Sequence, residues 1–241
     1  SSMVSCRIGT NNLQAGVKAA EAALAVGEDE LYIGIVNYDV NSANGQQREL
    51  GFRQTVEQDP RVKDITTINV LSTTEDARAG AKEMLLSDSR INVVVTFNEW
   101  TSLGVGWAIR DLDRGDRTQV VAFDSNVVSV GMLETGEVDA LIVQNPYAMG
   151  YLGVETAFQL INGTRKIENS IETECRRLCA VQFADQIALF AGCGVLVQQV
   201  LGSGLVDLLA GKLHSLGLVL SVGINSGICL LDGGLEGGVA G

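Results

Sequence analysis

Along the first two-thirds of the chain, apolar positions recur in a repeating pair of patterns. A short, nearly continuous apolar run is followed each time by a longer stretch with helical spacing. Residues 31–37, LYIGIVN, form one such run, and residues 44–58, NGQQRELGFRQTVEQ, follow it after a turn-forming Asn-Gly. The pair returns as TTINVLS (66–72) with TEDARAGAKEMLLS (74–87), and as INVVVTF (91–97) with EWTSLGVGWAIRDL (99–112). It returns again as TQVVAFD (118–124) with VVSVGMLETG, and as DALIVQN (139–145) with YAMGYLGVETAFQLING. Successive strand-helix units with continuous apolar strands predict an α/β fold, a parallel sheet covered by helices on both faces. An Ala-rich helix over 13–26 precedes the first full unit, behind a strand stub at 4–9, so the chain enters the alternating pattern part-way.

Composition and charge narrow the function. The 241 residues are 46% apolar, enough for a substantial core. With 29 acidic against 17 basic residues the net charge is -12, and no basic run appears. A nucleic-acid partner is therefore not expected, because phosphate binding needs clustered Lys and Arg. The five cysteines, Cys6, Cys175, Cys179, Cys193 and Cys229, form no C-x-x-C pair. Cys175 and Cys179 would share one face of a helix, but the only histidine, His214, lies far along the chain, so no metal site is expected. No cofactor motif is present, since P-loop, G-x-G-x-x-G and G-x-S-x-G patterns are all missing, and an enzyme is not expected. The N-terminal SSMVSCRIGTNN lacks the charged-then-apolar pattern of a signal peptide.

The chemistry gathers at the predicted strand ends. In an open parallel sheet, ligands bind beyond the carboxyl ends of the strands, where helix N-termini converge. Here those ends carry Asn37, Tyr38 and Asp39; Asn98 and Glu99; Asp124; and Gln144. Arg48, in the first turn of the following helix, adds a cation where the helix dipole favours an acid. Such a set offers donors and acceptors in several directions with little net charge, which suits a neutral polyhydroxylated ligand. Each residue also has an ordinary structural role open to it: the amides and acids as helix caps, Arg48 as a partner of Glu49 or Asp39, and Trp100 and Tyr38 as packing at the sheet edge.

Five ordered blocks carry a resemblance: IGTNNLQAG, NSANGQQRELGF, VVTFNEWTSLGVGWAI, VVAFDS and GEVDALIVQNPYAMGYLGVETAFQLING. Over residues 6–174 the chain resembles the ribose-type periplasmic sugar-binding proteins of ABC importers, which have the type I solute-binding fold. The resemblance implies an extracytoplasmic protein that takes a small-molecule sugar between two lobes and delivers it to an ABC permease in the membrane. It implies that Arg48 grips sugar hydroxyls, that Asp124 accepts from them, and that the amides of Asn98 and Gln144 do both. Tyr38 and Trp100 are weaker candidates to face the sugar ring. Asn11 stands where the family usually has a hydroxyl-binding aspartate, and Glu99 stands where it has the aspartate of an Asn-Asp pair.

The implied domain plan is residues 1–30 as a remnant of an N-terminal lobe and hinge, and 31–145 as the C-terminal sugar-binding lobe. Residues 146–179 would be a hinge-crossing helix and connector, and 180–241 an atypical Gly-rich segment. Most of the N-terminal lobe would precede residue 6, so the chain is expected to be truncated and to bind sugar weakly or not at all. From about residue 180 the composition changes: 13 of the 28 glycines lie there, and Lys212 is its sole Lys or Arg. Residues 187–206 and 213–231 are uncharged and nearly long enough to span a bilayer, although glutamines and glycines weaken both. A slipped reading frame, a fused permease-like piece and a Gly-rich packing layer compete to explain this segment. The alternative function is the ligand-sensing domain of a lactose-repressor-like regulator, which shares the fold and would carry a helix-turn-helix upstream.

Overall fold

Short runs rich in Val and Ile favour the pleated, buried environment of a central strand, and in the computed structural model they occupy it. The structure describes residues 4–163 and 168–179 and, beyond these, only the strands at 219–221 and 230–232. In chain order the elements are β1 (Arg7–Thr10), α1 (Asn12–Leu24), β2 (Leu31–Asn37), α2 (Ala43–Val56), β3 (Val62–Asn69) and α3 (Thr74–Ser87). Then follow β4 (Val93–Thr96), α4 (Glu99–Asp111), β5 (Gln119–Phe123), α5 (Val127–Thr135), β6 (Ala140–Val143) and α6 (Pro146–Asn162). The last are β7 (Ser170–Thr173), β8 (Arg176–Cys179), β9 (Val219–Ser221) and β10 (Leu230–Asp232).

Within residues 1–180, one six-stranded sheet runs in the order β3-β2-β4-β5-β6-β8. Its first five strands are parallel and β8 closes the edge antiparallel to β6. A separate two-stranded parallel sheet pairs β1 with β7, Gly9 opposite Glu172. The fold is thus the expected α/β class, with two strands the apolar pattern does not announce. The stretch 146–179, expected as helix and connector, contains β7 and β8, whose sequences SIET and RRLC are short and partly charged. Charged side chains suit β8 as an edge strand. They also correct the expected helical placement of Cys175 and Cys179, because Cys175 precedes β8 and Cys179 ends it. In the unit formed by residues 181–241, the described strands β9 and β10 pair antiparallel.

Helix α1 owes its place to small side chains. Ala15, Ala19, Ala20, Ala22 and Ala23 are buried in the same core as Ile33, Val95, Phe97, Phe123 and Ile142 of the six-stranded sheet and its strand ends. Residues 12–24 are therefore part of this sheet's covering layer, although the expected domain plan groups them with the preceding lobe. Two glycines permit α1 and α2 to meet at backbone distance. A Cβ on Gly16 would lie 2.0 Å from the Arg48 carbonyl oxygen, and one on Gly51 would lie 2.1 Å from that of Leu13. Helices α3 and α4 pack against each other and against β2.

Helix α6 differs from the others. Of its residues only Thr156 is buried, and Tyr147, Tyr151, Val154, Phe158 and Ile161 form an exposed stripe at helical spacing. No helix among the described residues is long and apolar enough to cross a membrane. The stretch 187–206 and His214 lie outside the described residues, and of 213–231 only β9 and the first two residues of β10 are described.

Candidate ligand-binding site

The parallel strands β2, β4, β5 and β6 deliver their carboxyl ends to one rim, and most of the expected site residues stand on it. The strand ends are held together from below by a buried serine. Ser102 Oγ lies 2.7 Å from both Thr96 Oγ1 and the Asn98 carbonyl oxygen, and accepts the Phe123 N–H at 2.9 Å. This ties the end of β4 to that of β5. Above it, Phe52, Phe97 and Phe123 pack edge to face, with ring centroids 6.0 and 5.7 Å apart.

Arg48 lies on this aromatic floor, one and a half turns into α2 and not in its first turn. The side chain is buried, its guanidinium 4.8 Å from the Phe123 ring centroid. Its Nε donates to Asn12 Oδ1 at 2.9 Å and one terminal nitrogen to the Phe97 carbonyl at 2.6 Å. The alternative partners are used elsewhere: Glu49 bridges Asn37 and Arg53, at 2.6 and 2.8 Å. Among the described residues Arg48 is thus a buried cation hydrogen-bonded only to neutral oxygens, with guanidinium donors left over. Buried charges are ordinarily paired, so this one fits a site in which a ligand completes the shell.

Asp124 follows β5 with φ of 65°, one of only two non-glycine residues with positive φ among those described. Aspartate tolerates this left-handed conformation better than most residues, and such strain concentrates at functional positions. Its Oδ1 accepts from Gln144 Nε2 at 2.5 Å, and Gln144 Oε1 accepts from Thr10 Oγ1 at 2.7 Å. A chain of hydrogen bonds therefore runs from β1, in the small sheet, to Asp124 in the large one.

Asn98 is a helix cap whose amide nitrogen is engaged as well. Its Oδ1 accepts the Thr101 N–H at 2.9 Å in a capping box, while its Nδ2 donates outward to Ser72 Oγ at 2.8 Å. Glu99 accepts from Nδ2 of Asn126, the cap of α5, so the acid beside Asn98 joins neighbouring helix starts.

The remaining candidates divide. Asn11 caps α1, its Oδ1 accepting from the Gln14 N–H at 3.0 Å. Trp100 is 49% exposed in the first turn of α4, available to a ring. Tyr38 is 6% exposed, and its ring packs on Gly45, where an added Cβ would meet Cζ at 3.1 Å. That burial corrects the expectation that its ring could face a sugar. What Tyr38 retains is a buried hydroxyl beside Ser42. Burial raises its phenol above the ordinary range, against the opposing pulls of Ser42 and then Arg48. Asn12, Thr10, Ser102 and the Phe97 carbonyl are site components that the strand-end pattern does not reveal. The doublet Asn11-Asn12 was their nearest signal, and the structure shifts the weight to its second member.

A depression of about 270 Å³ lies away from this rim, at the amino ends of the strands, among Asn92, Arg117, Gln119 and Asp139. Among the described residues no group of His, Cys, Asp or Glu could hold a metal ion.

Residues 1–165 match the family model described as the periplasmic binding protein domain. The chain belongs to the periplasmic binding protein family. A search of curated proteins finds no match. Among solved structures, the chain is 26% identical to a carbohydrate transporter solute binding protein from Agrobacterium radiobacter in complex with D-arabinose. The TM-score is 0.71, over 76% of this chain and 63% of that one. A solute binding protein of an ABC transporter from Agrobacterium vitis, bound with alpha-D-tagatopyranose, is 25% identical with a TM-score of 0.70, over 75% and 60% of the two chains. GanP, a glucose-galactose binding protein from Geobacillus stearothermophilus, is 24% identical with a TM-score of 0.68, over 73% and 62%. This member of the family thus spans less than two-thirds of the length of these structures.

Proposed function

We propose that this chain is part of the solute-binding component of an ABC-type carbohydrate importer and holds a neutral monosaccharide at the carboxyl rim of its six-stranded sheet. The observation that carries this reading is Arg48, a buried guanidinium held by two neutral oxygens and an aromatic face, on the strand-end rim that also carries Asn98, Asp124 and Gln144. A sugar hydroxyl accepts from the guanidinium and donates to Asp124, while the amides of Asn98 and Gln144 take either role. Trp100 contributes an exposed apolar face. Family members act outside the cytoplasm, and the similarity to transporter solute-binding proteins favours import over the ligand-sensing regulator.

The role is binding, not catalysis, and the partner is an ABC permease that reads the sugar-bound state. Contacts from a second lobe favour closure around the ligand in such a mechanism. The test is calorimetry against pentoses and hexoses with the wild-type chain, Arg48→Ala and Asp124→Ala. Each substitution is expected to cost on the order of 1 to 3 kcal/mol of binding, because it leaves polar partners unmatched. Unchanged affinity in both variants would contradict the assignment.

A further inference from the structure

Position 11 carries an amide, and the structure shows where that amide points. Asn11 Oδ1 is committed to the α1 cap, and Asn11 Nδ2 donates to Glu172 Oε2 at 2.6 Å. An aspartate at position 11 would cap the helix with one oxygen and leave the other free as an acceptor. An asparagine presents a donor there instead, and that donor holds a carboxylate brought in from β7. Glu172 reaches this place because β1 and β7 pair in parallel with Gly9 opposite Glu172. Glu172 takes part in none of the ion pairs among the described residues.

The surroundings connect this carboxylate to the site. Glu172 lines a small polar depression of about 50 Å³ together with Arg7, Thr10 and Gln47. Thr10 starts the hydrogen-bond chain through Gln144 to Asp124, and Gln47 is the neighbour of Arg48 on α2. We infer that Glu172 supplies the second hydroxyl-accepting carboxylate of the sugar site, relayed outward through Asn11. This rests on the sugar-binding reading above and makes it more specific.

The test is an NMR titration of the full chain with D-arabinose. Glu172→Gln keeps an oxygen to accept from Asn11 and removes only the charge, so it is expected to weaken D-arabinose binding about tenfold, as loss of a charge-assisted hydrogen bond does. The double variant Asn11→Asp with Glu172→Gln returns a carboxylate to position 11 and is expected to recover most of the loss. If Glu172→Gln binds D-arabinose within twofold of wild type while Arg48→Ala loses it, the role of Glu172 is overturned and the sugar site stands. A double variant no better than Glu172→Gln also overturns it. Absence of wild-type binding to any sugar overturns the broader reading and this one with it.

Discussion

Asn12 and Arg48 form the joint between the first two helices: Asn12 Oδ1 accepts the Arg48 Nε–H at 2.9 Å, both side chains are buried, and no carboxylate hydrogen-bonds the guanidinium. The geometry aims the rest of the guanidinium at the strand ends. It holds a cation in place before any ligand arrives, and that preorganisation is what a binding site needs.

A buried cation with no ion-pair partner among the described residues is costly to the free protein. Arg48→Met keeps length and apolar packing and removes the desolvated charge, so urea denaturation should show stability unchanged or increased, while sugar binding disappears. Asn12→Leu, in contrast, removes the acceptor and leaves the charge. It should lower stability by roughly 1 to 3 kcal/mol.

The α1–α2 contact is set by glycine. Gly16→Ala would drive a methyl into the Arg48 carbonyl, now 2.0 Å from that position, and neither helix backbone can yield without moving the Asn12–Arg48 pair. The expected cost is about 3 kcal/mol, read as a lower urea midpoint. A Gly16→Ala protein of wild-type stability would show that the helices are not so closely apposed.

Asp139 gives a pH signature of one sign. Burial raises its carboxyl above the usual range, although Oδ2 accepts the Val120 N–H at 2.7 Å. A raised folded-state pKa means a stability contribution present below the unfolded value and lost as pH rises through the folded one. Asp139→Asn can keep the acceptor without the charge. It should stabilise the protein at pH 7 relative to wild type, with the advantage shrinking as pH falls below the carboxylate range.

Asp88 and Asp111 give the opposite sign. Hydrogen bonds from Arg90 lower Asp88 to about 2, and those from Arg78 and Lys82 lower Asp111 to about 2. A depressed folded-state pKa gives stability present above the unfolded carboxylate value of about 4 and lost as pH falls toward 2. Thermal unfolding between pH 5 and pH 2 should fall less steeply in Asp88→Asn and Asp111→Asn than in wild type. Equal slopes would show that these pairs do not persist in solution.

Strands and helices from β2 to α6 were legible because each element is continuous in sequence and its periodicity reflects its own burial. Helix α3 matches its expected span of 74–87, whereas β3 begins four residues before its expected start at 66, because an edge strand alternates and carries Lys63 and Asp64 on its exposed positions. The strands β7 and β8 were not legible, since short charged segments become strands through partners distant in sequence. For the same reason the strand-end rule located Asn98, Asp124 and Gln144 but could not show that Tyr38 turns inward or that Asn12 holds Arg48. Those facts depend on how α1 lies across α2, which glycine contacts decide.

The most direct measurement is a two-dimensional NMR titration of the isotope-labelled chain with D-arabinose and D-galactose. The account predicts saturable binding of at least one of the two sugars. It predicts shifts confined to the carboxyl rim, at the amides of Arg48, Asn98, Asp124 and Gln144. Shifts at Asn92, Arg117 and Asp139 instead, at the opposite end of the sheet, or no shifts with any sugar, would contradict it.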